Sequence, residues 1–245
     1  MSVAPLPDDP PDAASARIAV FLRRAILDGE FKPGEFIRQE DIARRLRASR
    51  LPVREALRIL EAEGLTEHHA NRGARVPLLD MHEVDVIYQL RERVEPLVLA
   101  ESMAAITATS IERCRVILEA IEDGVEIGEF MSLDREFHFL TYSGCRIDSM
   151  TTMVVRLWNS TQHHRRLFMQ QSGADRRWVV NSEHRLLLDA IERSDTARAE
   201  QLLAAHIRRT RTDLARGEHA QLPKSAVPPG EPIRAIGGDP DEMLS

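Results

Sequence analysis

Residues 37–76 read IRQEDIARRLRASRLPVREALRILEAEGLTEHHANRGARV, and this stretch decides how the rest of the chain is read. Ile42, Ala43 and Leu46 recur at helical spacing and can face one core, which predicts a short helix over Gln39 to Leu46. Arg47-Ala48-Ser49 forms a turn, and Ser49 suits the N-cap of a second helix that begins near Arg50. Pro52 falls in the first turn of that helix, where a missing N–H costs no hydrogen bond. Val53, Ala56, Leu57 and Leu60 make its apolar stripe, while Leu51, Arg54, Glu55 and Arg58 project from the other side. Gly64 stops it. Leu65 to His69 and Ala74 to Leu78 are candidate strands joined through Asn71-Arg72-Gly73. The expected unit is a helix-turn-helix with a β-wing, its exposed helix offering arginine.

Charge placement supports that reading more than total charge does. The chain has 245 residues and a net charge of −6, which by itself argues against a nucleic-acid partner. Between Arg38 and Arg58, however, seven arginines (38, 44, 45, 47, 50, 54 and 58) face three acids (Glu40, Asp41 and Glu55). A locally basic segment on an acidic protein is an electrostatic footprint for DNA. A basic helix face is also commonly just solvated, and spacing alone leaves both readings open.

This stretch resembles the DNA-binding domain of GntR-type transcriptional regulators. SR-LPVREALRILEAEGL followed by NRGARV follows the family pattern from recognition helix to wing tip. The resemblance implies that Arg50 and Arg54 contact DNA from the recognition helix and that Arg72-Gly73 enters the minor groove. Two departures stand out. Leu51 replaces the usual threonine, so a polar contact is exchanged for one that can meet a thymine methyl group. Arg47 replaces a glycine, which implies either a modest strain at positive φ or an added phosphate contact.

Working outward, the expected architecture is mainly α. Residues 1–11 are acidic and proline-rich, form no signal-peptide pattern, and are expected to be a disordered tail. Residues 12–79 hold three helices and a small wing, the first helix covering Ala13 to Asp28. Residues 80–217 carry no strand signal and read as an antiparallel six-helix bundle. Its helices are MHEVDVIYQLRERVEPLVLAESMAAI with a kink at Pro96, then Ile111 to Val125, Glu129 to Ser143, Ile147 to Met169, Arg176 to Arg193 and Thr196 to Arg216. Ser194-Asp195 supplies the last connection and cap. Residues 218–245 read as a disordered tail. Aromatics are only 4% of the chain, so the core must be aliphatic, which suits helix packing. Cys114 and Cys145 make no disulfide framework and suit a reducing cytoplasm. No apolar run reaches the ~20 residues of a membrane span.

Four ionisable residues fall where the bundle core should lie. Asp134 and His138 are i and i+4 on a face shared with Phe130, Phe137 and Thr141. His184 shares a stripe with Leu187, Leu188 and Ile191, and His206 with Leu202, Leu203 and Thr210. Buried polar groups need partners. A divalent metal would supply one, and three imidazoles with one carboxylate suit zinc, nickel, iron or manganese. Singly, each residue also reads as a hydrogen-bonded core residue or cap. His163-His164 diverge around a helix and cannot chelate together, while His68 and His69 precede the wing and could touch phosphate. LDREFHFLT, SEHRLLLDAI and AAHIRRT resemble the metal-bearing motifs of the FCD type of C-terminal domain, the effector-binding module of a large GntR subgroup. That resemblance implies Asp134, His138, His184 and His206 as metal ligands. Cys145 departs from the asparagine that the family commonly places after Ser-Gly.

The function expected is a ligand-responsive transcriptional regulator, a homodimer on a palindromic double-stranded operator and acting as a repressor. Its bundle would bind a divalent metal and a small carboxylate effector. Four protein ligands leave coordination positions open, and with Asp134 as the one anionic ligand the ion keeps a positive charge that favours an acid. Arg91 is a candidate second anchor for the effector, or pairs with Glu95 at the surface. Asn181, one turn before His184, is a candidate lining residue. The rival reading is a metal-dependent enzyme using the same four residues. It lacks an HExxH motif and a spare general base, and gives the DNA-reading segment no role.

Overall fold

In the computed structural model, residues 11–69, 73–171 and 174–217 are described. The expected tails lie outside these residues, apart from Pro11, which already begins the first helix, and so does Arg72.

The first domain is α1 (Pro11–Leu27), β1 (Phe36–Ile37), α2 (Gln39–Leu46), α3 (Arg50–Ala62), β2 (Glu67–His69) and β3 (Gly73–Arg75). One apolar cluster holds it together: Ile18 and Leu22 of α1, Ile42 and Leu46 of α2, and Val53, Ala56 and Leu60 of α3. Leu22, Val53, Ala56 and Leu60 are fully buried, so the stripes seen in the sequence are the core. Helix α2 starts with Glu40 and Asp41 in its first turn and ends with Arg44 and Arg45 in its last, a distribution that complements the helix dipole. Its C-cap is Arg47 at φ 51°, the left-handed conformation that the sequence raised as a strain at this position.

Two local expectations are corrected. Ser49 stands at the N-cap of α3 with extended backbone but forms no side-chain cap hydrogen bond. The cause is the next turn: Pro52 occupies the third helical position and offers no N–H to accept. The wing has three strands in the order β1-β3-β2, with β1 unanticipated. Strand β1 pairs Phe36 with Arg75 and Ile37 with Ala74, and two residues are too few to display alternation. The wing strands are also shorter than expected, β2 and β3 meeting through Glu67–Arg75, His68–Ala74 and His69–Gly73. Gly73 has φ 89°, and a Cβ there would stand 2.9 Å from the carbonyl oxygen of Ile37, so the close approach of β1 requires glycine.

The second domain is helical throughout: α4 (Met81–Met103), α5 (Ala108–Asp123), α6 (Ile127–Thr141), α7 (Asp148–Gln171), α8 (Ala174–Glu192) and α9 (Thr196–Gly217). Helix α4 opens with a reciprocal capping box between Asp80 and Glu83 and runs through Pro96 as one helix. Asp195 caps α9 by accepting from the Arg198 N–H at 3.0 Å. The core is aliphatic with a few aromatics at its centre, among them Phe130, Phe137 and Trp158.

The domains meet along α7. Asn159 donates from Nδ2 to the carbonyl of Glu63, the C-cap of the recognition helix, at 2.8 Å. Arg166 donates to the carbonyl of Leu27 at the end of α1, also at 2.8 Å. Gly64 at φ 75° lets the chain leave α3 with room for Arg156 of α7, whose carbonyl oxygen would lie 3.3 Å from an added Cβ.

Candidate metal centre and nucleic-acid interface

The bundle brings α6, α8 and α9 together around three imidazoles. Each of His138, His184 and His206 offers a ring nitrogen, and these atoms all lie within 4.8 Å of one another. The Nε2 atoms of His138 and His184 are 3.1 Å apart, close to the separation of two ligands on one ion with metal–nitrogen bonds of about 2.0–2.1 Å. All three rings are buried, His184 completely. Burial pushes the pKa of His138 down to about 4, with Glu95 pulling the other way and Arg91 adding to the fall. Burial also holds His184 and His206 well below the usual histidine range, helped by the other imidazoles and by nearby guanidinium groups. The rings are therefore neutral at neutral pH, which is the form that binds a metal.

Asp134 lies beside His184, outside the group of three imidazoles. Its Oδ1 is 3.8 Å from His184 Nε2, while Oδ2 is held by the Arg165 guanidinium of α7. One oxygen anchored and the other facing the histidines is how a ligating carboxylate is commonly oriented. Around the rings stand groups the sequence reading did not name. His206 Nδ1 is 2.7 Å from Glu183 Oε2, and Glu183 is in turn paired with Arg209. His138 Nδ1 is 3.4 Å from the Tyr142 hydroxyl, which donates to Glu95 at 2.7 Å. Such outer contacts orient imidazoles and select the tautomer that leaves Nε2 free. Tyr142 is i+4 from His138, a spacing that could have named it, whereas Glu183 on α8 reaches His206 on α9, a pairing no spacing shows. The three neutral imidazoles fit a divalent ion, with outer partners on two of the rings and a carboxylate oxygen beside His184.

Two arginines border the cluster. Arg91 is buried, not paired at the surface as one reading had it. Its Nε donates to Glu95 at 2.6 Å, and its guanidinium lies 4.3 Å from the Trp158 ring centroid and 4.6 Å from that of Tyr88. Arg165 sits 4.8 Å from the same Trp158 ring. Arg91 Nη1 and Arg165 Nη1 are both shielded from solvent and without a partner. Asn181 goes elsewhere than expected: its amide donates to Glu122 at 2.9 Å and it lines a cleft among α5, α6 and α8 with Arg177 and Arg185. The adjacent rings of His163 and His164 have centroids 5.9 Å apart, and neither belongs to the histidine cluster.

The other candidate surface is the outer face of α3. Arg50, Leu51, Arg54 and Arg58 are exposed beside Arg38 and Arg47. Arg54 lies 3.5 Å from Glu55 and Arg50 lies 3.2 Å from Glu40, both in solvent. Exposed pairs of this kind are worth little and are readily exchanged for phosphate. Arg54, Arg58, His68 and Gly73 border one groove between the helix and the wing.

A winged helix-turn-helix joined to a helical domain with a polar centre is the architecture of a DNA-binding regulator. The chain belongs to the GntR family of bacterial regulatory proteins: the gntR family model matches residues 14–76 and the FCD domain model residues 86–209. It is 28% identical over 192 residues to the Bacillus subtilis HTH-type transcriptional regulator YdhC, covering 76% of this chain and 84% of that one. It is 24% identical to the Escherichia coli transcriptional repressor GlaR, over 76% of this chain and 89% of the other. The solved structure of E. coli McbR superposes with a TM-score of 0.72 at 21% identity, covering 84% of this chain and 98% of that one. The protein is a DNA-binding transcriptional regulator. Among the described residues no helix is long and apolar enough to cross a membrane.

Proposed function

We propose that this regulator represses transcription as a homodimer on a palindromic operator, and that a small carboxylate bound at a divalent metal in the bundle releases it. The observation that carries the effector assignment is the pair of unpartnered guanidinium nitrogens, Arg91 Nη1 and Arg165 Nη1, buried beside the histidine cluster. Buried cationic N–H groups without acceptors are costly, and an incoming carboxylate oxygen would satisfy them. His138, His184 and His206 would hold the ion, with Asp134 Oδ1 as the fourth ligand. When bound, the metal supplies a positive centre with open positions for an oxygen donor, whether it is zinc, nickel, iron or manganese. Arg50, Leu51 and Arg54 would read the major groove, Arg38, Arg47 and Ser49 would contact the backbone, and Arg72-Gly73 would enter the minor groove. The name of GlaR as a repressor favours repression here. The metalloenzyme reading has no comparable support, since the relatives are regulators.

The test is calorimetry with mono- and dicarboxylates and with neutral sugars, on metal-loaded protein and on His206→Ala. Purified protein should carry about one ion per chain, as four-ligand sites usually do. Chelation should lower the melting temperature of the wild type and leave that of His206→Ala unchanged. Acids should bind only the loaded wild type. Sugar binding that survives loss of the metal, with no acid binding, would overturn the assignment.

A further inference from the structure

A cleft of about 410 Å³ lies where the two domains meet, and neither the DNA-facing surface nor the histidine cluster uses it. Arg23 and Arg24 of α1, with Asp28 just past its end, form one wall; Arg135 of α6 and Gln162 and Arg166 of α7 form the other. Its charge is unbalanced. Arg23 is bonded to Glu63 at 2.7 Å, and Asp28 is shared between Arg24 at 3.5 Å and Arg166 at 3.7 Å. Arg135 pairs only with the neutral Asn159 side-chain carbonyl, at 2.8 Å, and stacks on the Phe139 ring. Four guanidinium groups thus stand against two carboxylates.

Three polar atoms on residues lining this cleft are withdrawn from solvent and have no hydrogen-bond partner among the described residues: Arg135 Nη1, Arg166 Nε and Gln162 Oε1. Gln162 is 6% exposed. Two are donors on cations and the third is an acceptor, so a simple anion would leave Gln162 unsatisfied. An occupant that accepts twice and donates once would satisfy all three.

We propose that this inter-domain cleft binds a small oxyanion that carries one hydroxyl, either hydrogen phosphate or a 2-hydroxy acid. Its anionic oxygens accept from Arg135 Nη1 and Arg166 Nε, and its hydroxyl donates to Gln162 Oε1. The volume suits a ligand of that size. Because one wall belongs to α1 and the other to α6 and α7, the bound anion ties the DNA-binding domain to the bundle, beside the Asn159–Glu63 hydrogen bond. The site is separate from the metal and its effector and does not depend on either.

Calorimetry on the full chain decides it, using inorganic phosphate against sulfate and glycolate against acetate. Each pair matches an anion with a hydroxyl to one without. Phosphate or glycolate should bind saturably, and its hydroxyl-free counterpart roughly threefold to tenfold more weakly, the worth of one hydrogen bond. Which of the two hydroxylated anions binds separates the phosphate source from the hydroxy acid. Binding should persist in His206→Ala. It should weaken in Arg135→Gln and disappear in Ser132→Glu, which puts a carboxylate into the cleft from an exposed position and so should leave folding intact. Equal binding of sulfate and phosphate, indifference to Ser132→Glu, loss of binding in His206→Ala, or no saturable binding of any of the four would each overturn the proposal.

Discussion

At the scale of single residues, the two functions rest on opposite uses of charge. Arg54 is exposed and holds only a loose contact with Glu55, so it can change partner at little cost. We expect Arg54→Ala to weaken specific operator binding by about 1–3 kcal/mol, the worth of a bidentate contact to guanine. Fluorescence anisotropy against specific and scrambled duplexes would measure it, with circular dichroism showing an unchanged fold. Equal affinity of the variant and wild type would mean that α3 presents a different face. The bundle histidines behave in the reverse manner, being deprived of water and kept neutral. His138 has its pKa lowered to about 4 by burial, and burial together with His164 takes His163 to about 4 as well. The unfolded chain, with histidine near its ordinary value of ~6.5, binds more protons in the interval. Stability from these groups is therefore complete above about pH 6.5 and is lost as pH falls toward 4. Urea denaturation of chelator-treated protein should show a midpoint that drops between pH 7 and pH 4.5. A constant midpoint would mean that these rings are already charged or solvated in the native state.

At the scale of elements, the turn between α2 and α3 shows how a local departure can be tolerated. Arg47 adopts φ 51° and closes α2 with its N–H directed to the carbonyls of Ala43 and Arg44. A side chain in that conformation costs on the order of 1–2 kcal/mol, and under the proposed function the exposed guanidinium would offset the cost by meeting a phosphate. Arg47→Gly separates the two effects. It should raise the melting temperature slightly and reduce by about one the slope of log affinity against log salt. A lower melting temperature with an unchanged salt slope would show that Arg47 matters for neither reason. The neighbouring cap makes a related point. Ser49 and Pro52 are each suitable near a helix start, yet the proline removes the N–H that the serine would have used.

For the whole molecule, the question is how the bundle addresses the DNA-binding domain. A continuous set of contacts leads from one to the other. Arg135 follows Asp134 on α6 and bonds Asn159, which bonds the Glu63 carbonyl at the end of the recognition helix. Arg166 adds a second attachment to the end of α1. Removing both, in Asn159→Ala with Arg166→Ala, should uncouple the domains. Differential scanning calorimetry should then resolve two transitions in place of one, and metal loading should move only the bundle's transition. A single transition that metal still shifts as a whole would show that coupling runs by another route.

The one-dimensional pattern determined whatever depends on neighbours along the chain. Stripes at helical spacing placed the helices, because each must bury one face. The Asp134–His138 spacing put two polar groups on one face of α6, and the arginines of residues 38–58 gave an acidic protein a locally basic segment. What the chain order could not carry was anything assembled from distant segments. Strand β1 is too short to have a period and exists because β3 lies beside it. Arg91 and Glu95 have a spacing equally suited to surface and core, and only the packing of Trp158 and Tyr88 over the guanidinium buried them. Asn181 shares a helix with His184, yet Glu122 on α5 claims its amide. Glu183 and Arg165 support His206 and Asp134 from other helices, and the inter-domain cleft joins Arg135 to α1. Such polar partnerships form through space, and burial makes them obligatory only after the chain has folded.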